Sequence, residues 1–389
     1  MTTVKIAMVR DEPDARTFKI RSALQDLGRD VYEFVRLPPY HEFYKTYASP
    51  DFSRSYRFFY DGSRYESLLR HFQLPNTFSY WQLARRLRSK GFRIFHANSI
   101  TEHLAAGLIR SGLAPVITEV YDSTSLYEVH NIRESILRGR AATGLLQRLV
   151  EIATENALRW EQLTHEQGSG LVYTSDEMLA YAKSRYQVRC PCVVVPNAVY
   201  GRLLPSDSPP EKLSEREGGL HVVYVGWIRD SQEGNHRDIC SQLNLVASGD
   251  VTVHIYPLVL PQESGRVHKK LDDNPNVRWH PIVPYSILYS ELRLYDAGLV
   301  LLAPHDEQLL SVALPNKIFE YVAAGLPVLV SPYKPLISFV NRFDCGTILD
   351  EPVTSGISVG RRRVRFRPEF TIEYYIPELV RLYERVSSS

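Results

Sequence analysis

The sequence predicts an α/β protein built from two parallel-sheet domains, and three observations carry that prediction. The chain has 389 residues, more than one hydrophobic core usually serves. Strand-like and helix-like segments alternate through the first half, the pattern of a parallel sheet with crossover helices. From Tyr200 to Gly219 the composition turns to Pro, Ser, Glu and Gly, which suits an interdomain linker, and beyond it the alternation starts again.

Taken in order, Val4 to Arg10 reads as a first strand, Ala15 to Leu27 as a helix stopped at Gly28, and Val31 to Leu37 as a second strand. Between Pro38 and Pro75 the pattern breaks into a stretch rich in Tyr, Phe, Ser and Arg, and loops of that length are usually functional. Trp81 to Lys90 is a basic helix, Phe92 to Ala97 a strand, Thr101 to Arg110 a helix, and Pro115 to Asp122 a strand with a polar exit. Ile132 to Leu149 interleaves Arg133, Arg138, Arg140 and Arg148 with Ile and Leu. It reads as a solvated crossover helix before an interfacial one facing anionic lipid. Glu151 to Gln167 is a long helix, and Gly170 to Leu179 reads as strand, turn and capped helix. After the linker come strands at His221 to Trp227, Val251 to Tyr256, Val277 to Val283 and Ala297 to Pro304, and Ile372 to Val386 has apolar residues at helical spacing.

Composition narrows the function classes. The chain is 44% hydrophobic and 23% charged, ordinary for a soluble globular protein, and no apolar run nears the roughly 18 residues of a membrane span. The N-terminal MTTVKIAMVR reads as a buried strand before a signal peptide, so a cytoplasmic enzyme is expected, with peripheral contact at the inner membrane face open. Four cysteines make no disulfide framework, and Cys190-Pro-Cys192 lacks the spacing of a zinc site. Residues 1 to 200 hold 26 Lys+Arg against 21 Asp+Glu, whereas residues 201 to 389 hold 20 against 23. That is too mild for a nucleic-acid protein but suits an anionic or membrane-associated acceptor.

The segment carrying most chemistry is LPNKIFEYVAAGLPVLVSP, Leu314 to Pro332. Pro315 and Asn316 supply a first-turn proline and a polar cap, Lys317 to Ala324 a helix, Gly325 its stop, and VLVSP a buried strand. A helix N-terminus presents unpaired N–H groups and a partial positive charge, so it receives phosphate, and Lys317 adds a full cation there. Glu320, three residues on, shares that face, so one ligand can place a diphosphate at Lys317 and a ribose diol at Glu320. A lone K-x-x-E pair would more often be a surface ion pair worth little.

The whole segment, however, matches P-x-K-x-x-E-Y-x-A-x-G-x-P-V at Pro315, Lys317, Glu320, Tyr321, Ala323, Gly325, Pro327 and Val328. It resembles the donor-site signature of retaining glycosyltransferases of family 4. VVVPNAV (Val193 to Val199) and HVVYVGWIRD (His221 to Asp230) stand in the same family order. The resemblance implies a GT-B fold, two Rossmann-like domains facing across a cleft. The expected boundaries are an acceptor-side domain at residues 1–200, a linker at 201–219, a nucleotide-sugar donor domain at 220–368, and a C-terminal helix at 369–389 that packs back on the first domain.

It also implies the site. Gly226 would let the backbone approach the donor phosphates and Arg229 would pair with them, with His236 and Arg237 as second choices. Lys317 and Asn316 would lie at the diphosphate, Glu320 at the ribose, and the backbone near Val283 at the base. Asp122 is expected near the reacting sugar, at even odds with a helix cap. Val312 stands where many relatives carry a first glutamate, so that sugar contact is missing. The implied reaction is metal-independent hexosyl transfer from a UDP- or GDP-sugar to a glycan, lipid-linked or small-molecule acceptor, with retention. No other cofactor and no nucleic acid are expected. The alternatives are a non-catalytic GT-B protein that binds nucleotide or a partner, and a sugar-nucleotide epimerase.

Overall fold

The computed structural model describes residues 4–10, 15–35, 55–57, 77–98, 103–120, 123, 125–126, 129–137, 143–230, 235–259, 261–304, 307–350 and 363–388. The chain divides into two compact units, one of residues 1–196 and 375–389, the other of residues 197–374.

The first unit holds strands β1 (Ile6–Arg10), β2 (Val31–Val35), β3 (Ser55–Arg57), β4 (Ile94–Asn98), β5 (Val116–Val120), β6 (Gly170–Tyr173) and β7 (Cys192–Val194). They form one parallel sheet in the order β3-β2-β1-β4-β5-β6-β7. Its helices are α1 (Ala15–Asp26), α2 (Thr77–Ser89), α3 (His103–Ser111), α4 (Val129–Leu137), α5 (Gly144–Gln167) and α6 (Asp176–Arg185), with α14 (Ile376–Ser388) from the end of the chain. One sheet face is apolar, with Val9, Phe34, Phe95 and Ala97 meeting Leu83 and Leu87 of α2 and Leu104 of α3. The other carries charge. Register aligns Met8 with Glu33 and His96, so Arg10, two residues on, shares their face. Glu33 receives Arg10 and Arg21 of α1 at 2.5 Å each, and buried ions persist only when paired in this way. Helix α14 closes this face, with Tyr383 Oη 2.6 Å from His96 Nδ1.

The arginine-bearing stretch 132–149 is not one helix. It splits into α4 and the start of α5, with Gly144 at φ 52° opening the latter. Ile132, Ile136 and Leu137 are buried against Val150, Ala153 and Ala157, so those apolar groups are spent on the protein's own core. Arg138 and Arg140 lie outside the described residues. The unpatterned stretch Pro38 to Pro75 also lies outside them, apart from β3.

The second unit holds β8 (Leu220–Trp227), β9 (Val251–Leu258), β10 (Val277–Trp279), β11 (Ala297–Val300), β12 (Val328–Val330) and β13 (Gly346–Ile348), parallel in the order β10-β9-β8-β11-β12-β13. Helices α7 (Leu213–Glu217), α8 (Cys240–Val246), α9 (Pro261–Leu271), α10 (Tyr285–Leu292), α11 (Glu307–Leu310), α12 (Asn316–Ala323) and α13 (Lys334–Phe343) accompany it. Residues 201–219, read above as linker, are not free chain. Ser214 Oγ donates to Asp296 at 2.7 Å, Lys212 pairs with Asp296 at 3.4 Å, and Arg293 pairs with Asp207 at 2.8 Å, so their polar side chains are anchored on this unit. Among the described residues no helix is long and apolar enough to cross a membrane.

One face of the second sheet carries a hydrogen-bonded row of imidazoles. His221 Nε2 donates to the Gly218 carbonyl at 3.0 Å, which makes Nδ1 of the neutral ring an acceptor. His254 Nε2 therefore donates to it at 2.9 Å, and His280 Nε2 donates to His254 Nδ1 at 2.9 Å. Burial is the largest cause that pushes His254 down to about 3, helped by His280, His221 and Arg278, and burial lowers His280 as well. In the first unit burial and then Arg16 push His96 down to about 3, and burial lowers His165.

These groups have folded values below the roughly 6.5 of an unfolded histidine, so the unfolded chain binds more protons below that pH. Their contribution is complete above about pH 6.5 and is lost as pH falls, by up to about 1.4 kcal/mol per group per pH unit. Urea midpoints at pH 7 and pH 5 are expected to drop steeply toward acid. Equal midpoints would show these rings charged or solvated in the native protein.

Candidate functional site

The second sheet reverses its winding between β8 and β11, and in open α/β sheets ligands bind at the carboxyl ends of strands beside such a switch point. Helix α12 reaches this edge through Tyr321. That ring lies flat on Gly298 of β11, where an added Cβ would sit 2.2 Å from its Cγ and Cδ2. The Tyr321 Oη accepts the Val225 N–H of β8 at 2.8 Å. One buried side chain thus ties the helix to both central strands.

The seating of Tyr321 places Lys317, one turn earlier, over the end of β8. Gly226 has φ +125°, a conformation L side chains rarely adopt, and a Cβ there would stand 3.3 Å from Lys317 Nζ. The ammonium lies 3.7 Å from the centroid of the Tyr224 ring. Burial pushes Lys317 down to about 7, and the Arg237 guanidinium adds to that push while Glu320 opposes it. Glu320, one helical step of three residues on, is itself buried. Two cations are therefore held close in a poorly solvated place beside a carboxylate, an arrangement that a polyanion would stabilise.

Arg237, a second choice in the sequence, is the cation whose charge reaches Lys317. Its loop is fixed by its own backbone. Arg229 N–H donates to the Arg237 carbonyl at 3.0 Å, and Arg237 N–H donates to Asn235 Oδ1 at 2.9 Å. Arg229, the first choice, turns its Nε to both oxygens of Glu263 at 3.0 and 2.9 Å, and the Asp230 N–H joins the same carboxylate at 3.0 Å. Nothing in the loop's composition announced that partner, which comes from α9.

Asn316 is the first helical residue of α12 and the cap is Pro315, with no side-chain hydrogen bond, so the polar cap expected at Asn316 is not formed. The reason is conformational, since a proline in the extended region can stop the chain's approach without offering an acceptor. Val283 is half-buried in the stretch between β10 and α10. Val312 is buried. Asp122 lies outside the described residues. Its neighbour Ser123 donates to buried Glu161 of α5 at 2.5 Å, and the Ser125 N–H to the same carboxylate at 2.9 Å. Among the described residues no three His, Cys, Asp or Glu side chains converge on a metal position.

No family model and no curated protein matches the chain. Solved structures do. WaaG, a glycosyltransferase involved in lipopolysaccharide biosynthesis, is similar with a TM-score of 0.57 at 14% identity, over 99% of this chain and 90% of that one. HepE of Anabaena, solved with UDP-glucose, is similar with a TM-score of 0.58 at 11% identity, over 98% of each chain. Sucrose-phosphate synthase of Thermosynechococcus elongatus is similar with a TM-score of 0.56 at 13% identity, over 99% of this chain and 94% of that one. Likeness at such identities speaks to the fold and leaves the reaction to the site. The chain is thereby an α/β protein with the GT-B fold expected from its sequence.

Proposed function

We propose that this protein is a glycosyltransferase that moves a hexosyl group from a nucleoside-diphosphate donor to an acceptor hydroxyl, with retention and without a metal ion. The observation that carries this reading is Lys317 against Gly226 near the end of β8, where the charge of Arg237 reaches it, with Glu320 one step along the same helix. Gly226 gives the diphosphate room against the backbone. Lys317 and the first turn of α12 take the charge that builds on the departing phosphate, and fixed donors of this kind stabilise a transition state without reorganising. Glu320 suits a ribose diol, because a carboxylate accepts two hydroxyl hydrogen bonds at once. In the reaction the bond from the anomeric carbon to the phosphate oxygen breaks and one to the acceptor oxygen forms on the same face. The acceptor proton passes to a phosphate oxygen.

Three similar structures support the reading through what they are: WaaG is a glycosyltransferase, sucrose-phosphate synthase makes a sugar phosphate, and HepE was solved with UDP-glucose. The donor is read as a UDP- or GDP-sugar and the acceptor as a glycan, lipid-linked or small-molecule hydroxyl. Glu263 holds Arg229 by its Nε, so the guanidinium would meet a phosphate through its Nη donors, and Glu263→Gln is expected to weaken donor binding by loosening that orientation, read as a smaller melting shift with the diphosphate.

The deciding experiment is a melting series with UDP, GDP, ADP and CMP without added metal, followed by turnover of the matching sugar donor. One diphosphate is expected to raise stability by about 2.7 kcal/mol at about 100 times its Kd. Stabilisation without sugar release to any acceptor or to water would identify the non-catalytic alternative. Donor converted to its epimer without acceptor would identify the third. No stabilisation by any of the four would overturn the donor site.

A further inference from the structure

The exposed side of α2 carries charge that no carboxylate neutralises among the described residues. From Ser67 to Thr101 the sequence has no Asp or Glu but holds six Arg and Lys. Tyr80, Leu83, Ala84 and Leu87 bury one side of α2 in the core of the first unit. The opposite stripe, Trp81, Gln82, Arg85, Arg86 and Ser89, is exposed, and Lys90 and Arg93 extend it past the helix end. Trp81 is 38% exposed, with the Arg85 guanidinium 5.4 Å from its ring centroid. The ammonium of Lys5 adjoins, donating to the Lys90 carbonyl at 3.4 Å.

Several exposed cations elsewhere find carboxylates, although Lys183, Arg189 and Lys269 have none among the described residues. Arg266 and Lys270 pair with Asp230, Arg278 with Glu217, Arg148 with Glu151, and Arg381 with Glu378. Among the described residues no carboxylate pairs with Arg85, Arg86, Arg88, Lys90 or Arg93. A same-sign cluster repels itself, and five such cations on and just past one helical stripe, next to a half-exposed indole and without a carboxylate partner among the described residues, suit an external counter-charge.

We propose that this face of α2 docks the protein on an anionic lipid bilayer. The stripe from Trp81 to Ser89 spans about 12 Å along the helix. That suffices for a flat, negatively charged headgroup layer, in which arginines meet lipid phosphates bidentately and an amphipathic indole settles at the interface. A nucleic acid fits less well, because the chain's net charge is only +2 and a domain that binds one is usually far more basic. The inference is independent of the donor site, and it would bring the proposed transferase to a surface where lipid-linked acceptors lie.

The test is co-sedimentation of the full chain with vesicles of phosphatidylcholine alone, and of phosphatidylcholine mixed with phosphatidylglycerol, at low and high salt. Binding is expected only to the anionic vesicles and to weaken with salt. R85Q/R86Q should partition about 25-fold less, at about fivefold per charge, and R85E/R86E less again. R216E/R278E, on the second unit, should bind like the parent, and melting curves check that every variant is folded. Equal binding to neutral vesicles, no binding to anionic ones, or unchanged binding of folded R85E/R86E would overturn the proposal. So would capture of an RNA oligomer, lost in R85E/R86E, in place of the vesicles.

Discussion

Lys317→Met is expected to lower transfer from the nucleoside-diphosphate sugar by about a hundred- to a thousand-fold, the usual cost of removing one fixed donor from a site of developing charge. The loss should fall on kcat as well as on donor affinity, because the leaving phosphate gains charge as the glycosidic bond breaks. A second readout separates this role from a structural one. In the free protein burial, with Arg237 beside it, holds Lys317 down to about 7, so at pH 8 much of it is neutral. A bound diphosphate favours the charged form, so binding must take up a proton.

The sign follows from the two states. The free value lies below the bound one, so affinity is greatest below about pH 7 and falls about tenfold per pH unit above it, until the bound lysine itself titrates. Calorimetry in buffers of different protonation enthalpy should register uptake near one proton at pH 8, and none in Lys317→Met. If that variant turns over within twofold of the parent and takes up the same proton, the diphosphate lies elsewhere.

Much of the architecture was legible because parallel strands buried on both faces read as continuous apolar runs, and turn residues punctuate them. Val222 to Val225 and Val328 to Val330 are such runs. The helix at Lys317 was legible from its proline start and glycine stop, although Pro315 rather than Asn316 proved to be its cap. Contacts that join distant segments left no local signal. His221, His254 and His280 stand 33 and 26 positions apart and meet only because β8, β9 and β10 pair in one register. Arg229 is expected at the donor phosphates because it follows the glycine near the end of β8, and its attachment to Glu263, 34 positions on, belongs to the packing of α9. Arg10 and Glu33 are charged residues inside strands, which pattern reading counts as exposed, yet α1 and α14 cover that face and the ions neutralise one another.

Gly298→Ala is expected to cost about 4 kcal/mol of stability. The added methyl would overlap the ring carbons of Tyr321, 2.2 Å away at the rigid root of the side chain, so rotating a flexible tip cannot relieve it. The ring must lift. Overpacking alone costs about 1–3 kcal/mol, and lifting Tyr321 strips the buried Val225 N–H of its acceptor, about 1–3 kcal/mol more. Tyr321→Phe isolates the second cost and should lose only that part. Tyr321→Ala opens a cavity at about 3–5 kcal/mol by itself. The double variant Gly298→Ala with Tyr321→Ala removes the clash together with the ring, so its loss should fall short of the sum of the two singles by about the whole cost of Gly298→Ala, roughly 4 kcal/mol, the signature of direct contact. Urea denaturation supplies all four values. A Gly298→Ala protein as stable as the parent would mean that Tyr321 does not seat α12 on β11. The positions of Lys317 and Glu320 over the end of β8 would then need another cause.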